Sequence, residues 1–115
     1  MKKHIEVVPY DSNWPNIYKT EEQKIKADLG ENLVEIHHIG STSVPGLAAK
    51  KEIDIVCSVD DLEKAVISLN QYIFKGELNI PFRYFFSKNT DYSKVNLHMV
   101  PKNNPPVAPK RWPLA

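Results

Sequence analysis

The spacing of apolar and polar residues changes several times along the chain, and each change marks an element. Ile5 to Tyr10 reads as an extended lead-in. Asp11 or Ser12 can cap a helix that has Pro15 in its first turn, where a missing N–H does no harm. Apolar residues then fall at Trp14, Ile17, Tyr18, Ile25 and Leu29 on an otherwise charged surface, a stripe of helical period. Gly30 is placed to end that helix in a left-handed conformation.

Leu33 to Ile39 is a short β-prone run that ends at Gly40-Ser41-Thr42-Ser43. Proline and glycine inside Val44 to Ala49 allow one or two helical turns at most. Glu52 to Val59 is the clearest strand, rich in β-branched residues. Asp60 with Glu63 has the form of a capping box, and Leu62, Ala65, Val66, Leu69 and Tyr72 or Ile73 share one face of the helix behind it. Phe82 to Ser87 and Lys94 to Val100 form two more strands. The turn chemistry of Lys88-Asn89-Thr90-Asp91 makes them an antiparallel hairpin. The fold class predicted is α/β (α+β), a small mixed sheet flanked by helices.

Composition bounds the function. One hundred and fifteen residues make one domain, and the 42% hydrophobic share is enough for a core. The 15 Lys+Arg against 14 Asp+Glu argue against a nucleic-acid surface, which would show a basic excess. Residues 101–115 hold Lys102, Lys110 and Arg111, no acid, and five of the nine prolines. Removing those three bases leaves 12 against 14, so residues 1–100 carry a net −2. The single cysteine, Cys57, excludes an intrachain disulfide and reads as a small buried hydrophobe. No apolar run approaches the ~18–20 residues that span a bilayer, and the N-terminus lacks a secretory signal, so a cytoplasmic protein with no membrane partner is expected.

Three stretches can carry chemistry. A strand ending in glycine and three hydroxyl residues, Gly40 to Ser43, offers backbone N–H groups and hydroxyls to one point, which suits a phosphate. The plain alternative is a serine/threonine-capped loop, and the Walker pattern is absent. In Glu52-Ile53-Asp54-Ile55-Val56-Cys57, alternation puts Glu52, Asp54 and Val56 on one face and Ile53, Ile55 and Cys57 on the other. Two carboxylates side by side repel unless a cation lies between them, and paired hard oxygens suit Mg²⁺. The alternative is a polar edge face, or salt bridges to Lys50 and Lys51. In Asn96-Leu97-His98-Met99, Leu97 and Met99 face the core while Asn96 and His98 face away, so His98 can approach Asp54 if the strands are neighbours. His37 and His38, being adjacent, point oppositely. Arg83 can clamp an anion with its planar fork, while Phe82, Tyr84, Phe85, Phe86 and Tyr92 read as packing.

These residues together resemble the GrpB family, a group related to nucleotidyltransferases, some of whose members are fused to dephospho-CoA kinase. The likeness begins at Val8-Pro9-Tyr10-Asp11 with Trp14-Pro15. It is densest from His38 to Lys50 and at Ile53-Asp54-Ile55, and it continues through Arg83-Tyr84-Phe85 and Asn96-Leu97-His98-Met99. The resemblance implies a polymerase-β-type nucleotidyltransferase-like fold, in which a Gly-Ser pair is followed about ten residues later by two carboxylates flanking an apolar residue. By likeness, Gly40, Ser41, Thr42 and Ser43 hold nucleotide phosphates with Lys50 and Arg83, Asp54 and Glu52 bind Mg²⁺, and His98 serves as base or phosphate ligand. The implied partners are a nucleoside triphosphate and a small acceptor.

The sequence departs from that pattern twice. Nucleotidyltransferases bring a third carboxylate from a neighbouring strand, where this chain offers Asn96 and His98. Family members also continue in helices after the Leu97-His98 strand, whereas Pro101 opens a proline-rich tail that cannot be helical. The domain is therefore expected to span 1–100 and to be cut short, with an irregular basic tail at 101–115. The surface so left open invites association with a second copy. Two alternatives to nucleotidyl transfer stand beside it: a non-catalytic nucleotide- or coenzyme-A-related binding module, and an inactive remnant.

Overall fold

The structure, a computed structural model, describes residues 7–77, 83–91 and 93–102. Helix α1 spans Trp14–Leu29, strand β1 Leu33–Ile39, strand β2 Glu52–Val59, helix α2 Leu62–Ser68, and strands β3, β4 and β5 span Ile73–Gly76, Tyr84–Asn89 and Lys94–Pro101. Ile5, Phe82, Tyr92 and the tail beyond Lys102, all named above, lie outside the described residues.

The five strands form one sheet in the order β1-β2-β5-β4-β3. Its central pair, β2 and β5, is parallel, and the other neighbours are antiparallel. This is the mixed α+β architecture expected. Helices α1 and α2 pack on one face. There Trp14, Ile25 and Leu29 of α1 and Ala65 of α2 meet Ile53, Ile55, Cys57, Phe86, Val95, Leu97 and Met99. The alternation read in β2 and β5 is therefore correct: the odd-numbered residues feed this core, and Val56 joins Ile39 and Val100 in a small apolar cluster apart from it.

Local details differ from expectation where side chains compete for one backbone group. Asn13 is the N-cap residue of α1, and the Asp11 carboxylate instead accepts the Asn13 N–H at 2.8 Å. Asp61, not Asp60, caps α2: the helix begins at Leu62, Asp61 has an extended backbone and its carboxylate accepts the Lys64 N–H at 3.1 Å, while Asp60 lies 2.8 Å from the Lys102 ammonium. Helix α2 stops at Ser68 and Ile73 enters strand β3, since pairing of Ile73 and Phe74 with Ser87 and Phe86 outweighs the helical spacing of the sequence. Strand β4 runs on to Asn89, so Thr90 and Ser93 close the hairpin, with the Thr90 N–H donating to the Ser93 carbonyl at 2.8 Å.

Candidate functional site

The face of the sheet opposite the helices gathers the polar residues of β2 and β5. Parallel pairing sets Asp54 beside Asn96 and Val56 beside His98, while antiparallel pairing sets Ile39 beside Asp54. The end of β1 therefore delivers Gly40 directly onto Asp54. At Gly40 φ is +81°, and a Cβ there would lie 2.6 Å from Asp54 Oδ2. Both facts exclude any other residue without displacement of the acid. The strain-free turn at this position is what allows strand end and carboxylate to touch.

Behind Gly40 the chain makes a single 3-10 turn, Ser41–Ser43, upstream of the 44–49 stretch expected to be helical. Its hydroxyls have different tasks. Ser43 Oγ donates to the Gly40 carbonyl at 2.6 Å, closing the turn on itself. Thr42, only 1% exposed, donates to the Glu52 carbonyl at 3.0 Å and contacts His38 Nε2 at 3.1 Å. With the single hydroxyl hydrogen given to the carbonyl, Nε2 must be the donor to Thr42 Oγ, which fixes the His38 tautomer. Tyr18 of α1 stacks on the same imidazole at 4.8 Å between centroids and 13° between planes. Burial holds His38 neutral, with its pKa lowered to about 4. The Ser41 hydroxyl makes no hydrogen bond to the described residues.

Asp54 and Glu52 come together as the alternation requires, and the group between them is Asn96. Its Nδ2 donates to Asp54 Oδ1 at 2.9 Å and to Glu52 Oε1 at 3.1 Å. Burial raises the Asp54 pKa, the Asn96 hydrogen bond draws it back down, Glu52 raises it, and Lys50 and Lys94 lower it. Lys50 Nζ lies 3.8 Å from Glu52 Oε2, which realises the salt bridge weighed for this acid.

His98 stands one pair further along and not opposite Asp54. The parallel register gives that place to Asn96 and leaves His98 against Val56 and Phe85, with 5.0 Å between its ring centroid and that of Phe85. Asn96 therefore takes the place directly opposite Asp54, and His98 follows two residues along on the same face. Burial lowers its pKa to about 4, and the nearby Arg83 guanidinium adds to the effect, so histidine and arginine share this end of the face. Cys57 is fully buried on the helix side, with its thiol pushed up to about 12, as a structural cysteine should be.

Among the described residues no group of three or more His, Cys, Asp or Glu is arranged to hold a metal ion. The two acids therefore do not fit a pair of metals. Two carboxylates are at most what one Mg²⁺ would use, and its remaining ligands would have to come from water and a phosphate. Directly opposite Asp54, where two-metal chemistry would want a third carboxylate, β5 carries Asn96. Two residues of the candidate site escaped the sequence reading in these structural roles. Asn96 was visible only as the residue in place of a carboxylate, and His38 only as one of two adjacent histidines. Assigning either role needs the register of strands 42 residues apart or a side-chain contact. A groove of about 310 Å³ lies elsewhere, between α1 and the β4–β5 turn, lined by Asn16, Thr20, Lys24 and Asp91 among others.

No helix among the described residues is long and apolar enough to cross a membrane.

Comparison with known proteins bears on the family and the fold. The chain is 32% identical over 111 residues to the UPF0157 protein YqkA of Bacillus subtilis, covering 92% of this chain and 32% of that protein. The crystal structure of conserved protein GrpB from Enterococcus faecalis superposes with a TM-score of 0.78 at 32% identity, over 86% of this chain and 63% of that one. A partial match reaches a dephospho-CoA kinase of Mycolicibacterium paratuberculosis, 34% identical over 64 residues, 53% of this chain and 16% of the kinase. The chain thus spans about a third of the Bacillus relative's length and under two thirds of the Enterococcus protein's. The family model described as GrpB protein matches residues 4–112, well into the proline-rich tail, and the chain belongs to the GrpB family.

Proposed function

We propose that the Ser41–Ser43 turn and the acids of β2 bind the phosphates of a nucleoside triphosphate together with one Mg²⁺. The contact of Gly40 with Asp54 carries this reading. A phosphate cradled by the turn lies against a carboxylate, and two anions in contact require a cation between them. The Ser41 hydroxyl supplies a donor, and Lys50, Arg83 and His98 supply positive or hydrogen-bonding groups around the acids. The ion, when bound, neutralises charge between phosphate and carboxylates. Thr42 and Ser43 act on the ligand indirectly, by holding the turn in shape. A nucleoside triphosphate partner goes with a cytoplasmic location.

In the enzymatic form of this proposal, a hydroxyl of a small acceptor attacks the α-phosphorus, the new P–O bond forms, and pyrophosphate leaves. His98, neutral at pH 7 by virtue of its lowered pKa, takes the hydroxyl proton. The alternative is a non-catalytic nucleotide- or coenzyme-A-related module. It is favoured by the amide of Asn96 where two-metal enzymes carry a carboxylate, and by the partial likeness to a dephospho-CoA kinase.

Thermal unfolding with Mg²⁺ and each nucleoside triphosphate tests binding. Ligand at 100 times its dissociation constant should add about 2.7 kcal/mol. Asp54→Asn should abolish the Mg²⁺-dependent part of that gain. Absence of stabilisation by every nucleotide, in protein shown to be folded, overturns both forms; pyrophosphate release with a hydroxyl acceptor separates them.

A further inference from the structure

The geometry points to Asn96 as a built-in substitute for a bridging cation: its amide ties Glu52 to Asp54, so the bare acid pair takes up no divalent ion until a phosphate arrives. This deepens the nucleotide-binding reading and rests on it for the identity of the phosphate.

Asn96 is 8% exposed and in register with Asp54. An amide nitrogen carries two hydrogens in one plane, and here each goes to a different carboxylate, at 2.9 and 3.1 Å. The oxygen of the amide could not face two acceptors, so the orientation is set by the acids themselves. The remaining oxygens also have neighbours. Asp54 Oδ2 abuts Gly40, and Glu52 Oε2 lies 3.8 Å from Lys50 Nζ. A bridging ion would have to displace the Asn96 donor and would gain only these two acids, since the described residues offer no third His, Cys, Asp or Glu in a metal-holding group. Mg²⁺ loses its water reluctantly and needs a nearly regular octahedron of oxygens. Phosphate oxygens can complete that octahedron and offset the loss of the Asn96 hydrogen bonds, whereas water alone does not while the amide holds both acids. An aspartate at position 96 would reverse the situation, because it donates nothing and adds a third negative charge that only a cation can offset.

The experiment uses Mn²⁺ alone, counted by the loss of its free-ion paramagnetic resonance signal on the full chain without nucleotide. The wild type should leave the ion free, while Asn96→Asp should bind it. In case Asn96→Asp does not fold, Asn96→Ala carries the same test by melting. With the amide gone, added Mn²⁺ should raise the midpoint by several degrees, and the wild-type midpoint should not move. Wild-type uptake of Mn²⁺ equal to that of Asn96→Asp overturns the inference. So does an Asn96→Ala protein that ignores Mn²⁺. These measurements contain no nucleotide, so failure of the nucleotide-binding reading would leave them decisive for Asn96.

Discussion

Two places among the described residues shield carboxylates from water, one fully and one in part, and they settle the charge by different means. On the helix side Glu21 is 3% exposed and fully answered: the Lys88 ammonium and the Tyr72 hydroxyl both lie 2.8 Å from its Oε1, and Lys24 lies 3.9 Å from Oε2. On the other face Asp54 and Glu52 share a neutral amide, and among the described residues the one cation within 4 Å of them is Lys50 at 3.8 Å, half exposed. The first arrangement is closed, since a full positive charge and a hydroxyl complete it. The second satisfies hydrogen bonding while leaving net negative charge in place. That residue of charge, beside a glycine-hinged turn, is what distinguishes a site from a strut.

The largest effect should come from breaking the closed arrangement. Lys88→Met strands the Glu21 carboxylate, since the two side chains are only 14% and 4% exposed. Removing one partner of a buried pair costs about 3–5 kcal/mol. Urea unfolding should show that loss, and nucleotide-induced stabilisation should survive in whatever fraction remains folded. A loss under about 1 kcal/mol, the size typical of surface pairs, would mean that Glu21 is no more buried in its effect than an exposed acid.

The next effect belongs to the open arrangement. Gly40→Ala forces a side chain into the left-handed region and drives a Cβ to 2.6 Å from Asp54 Oδ2. Strain of this type costs about 1–3 kcal/mol. Unlike Lys88→Met, the change should also remove stabilisation by nucleotide, because the acid or the turn must move. An alanine variant that keeps the full nucleotide response would separate the turn from the acids and refute the contact as the basis of the site.

The sequence showed the two faces well before their neighbours. Strict alternation in 52–57 and 96–99 assigned Ile55 and Leu97 to the core and Asp54 and Asn96 to the opposite face, because a period of two is a local property. The glycine-hydroxyl turn and its distance from the acids were equally legible. What stayed hidden depends on which strands pair and in what register. Asp54 meets Asn96 across 42 residues of chain, and a slip of two positions would have brought His98 there instead. Strand β3 was obscured for a related reason: Ile73 fits a helical stripe as readily as a strand until Ser87 is opposite it.

The smallest effect is one of pH, and it links the two faces through their histidines. His38 touches the helix side through Tyr18, and His98 lies on the site face beside Phe85. Both have pKa values lowered to about 4 from 6.5, mainly by burial. Between those values the unfolded chain binds more protons than the folded one, so stability falls as pH drops from 6.5 toward 4. Asp54 works in the opposite sense, because its raised pKa lets the folded state take a proton first as pH falls through the carboxylate range. Partial exposure of both rings limits the sum to on the order of 1 kcal/mol. Urea midpoints measured on either side of the ordinary histidine range should show that decline in the wild type. His98→Gln should remove roughly half of it and His38→Gln the rest. A decline that survives both replacements would place neither histidine in a buried, neutral state.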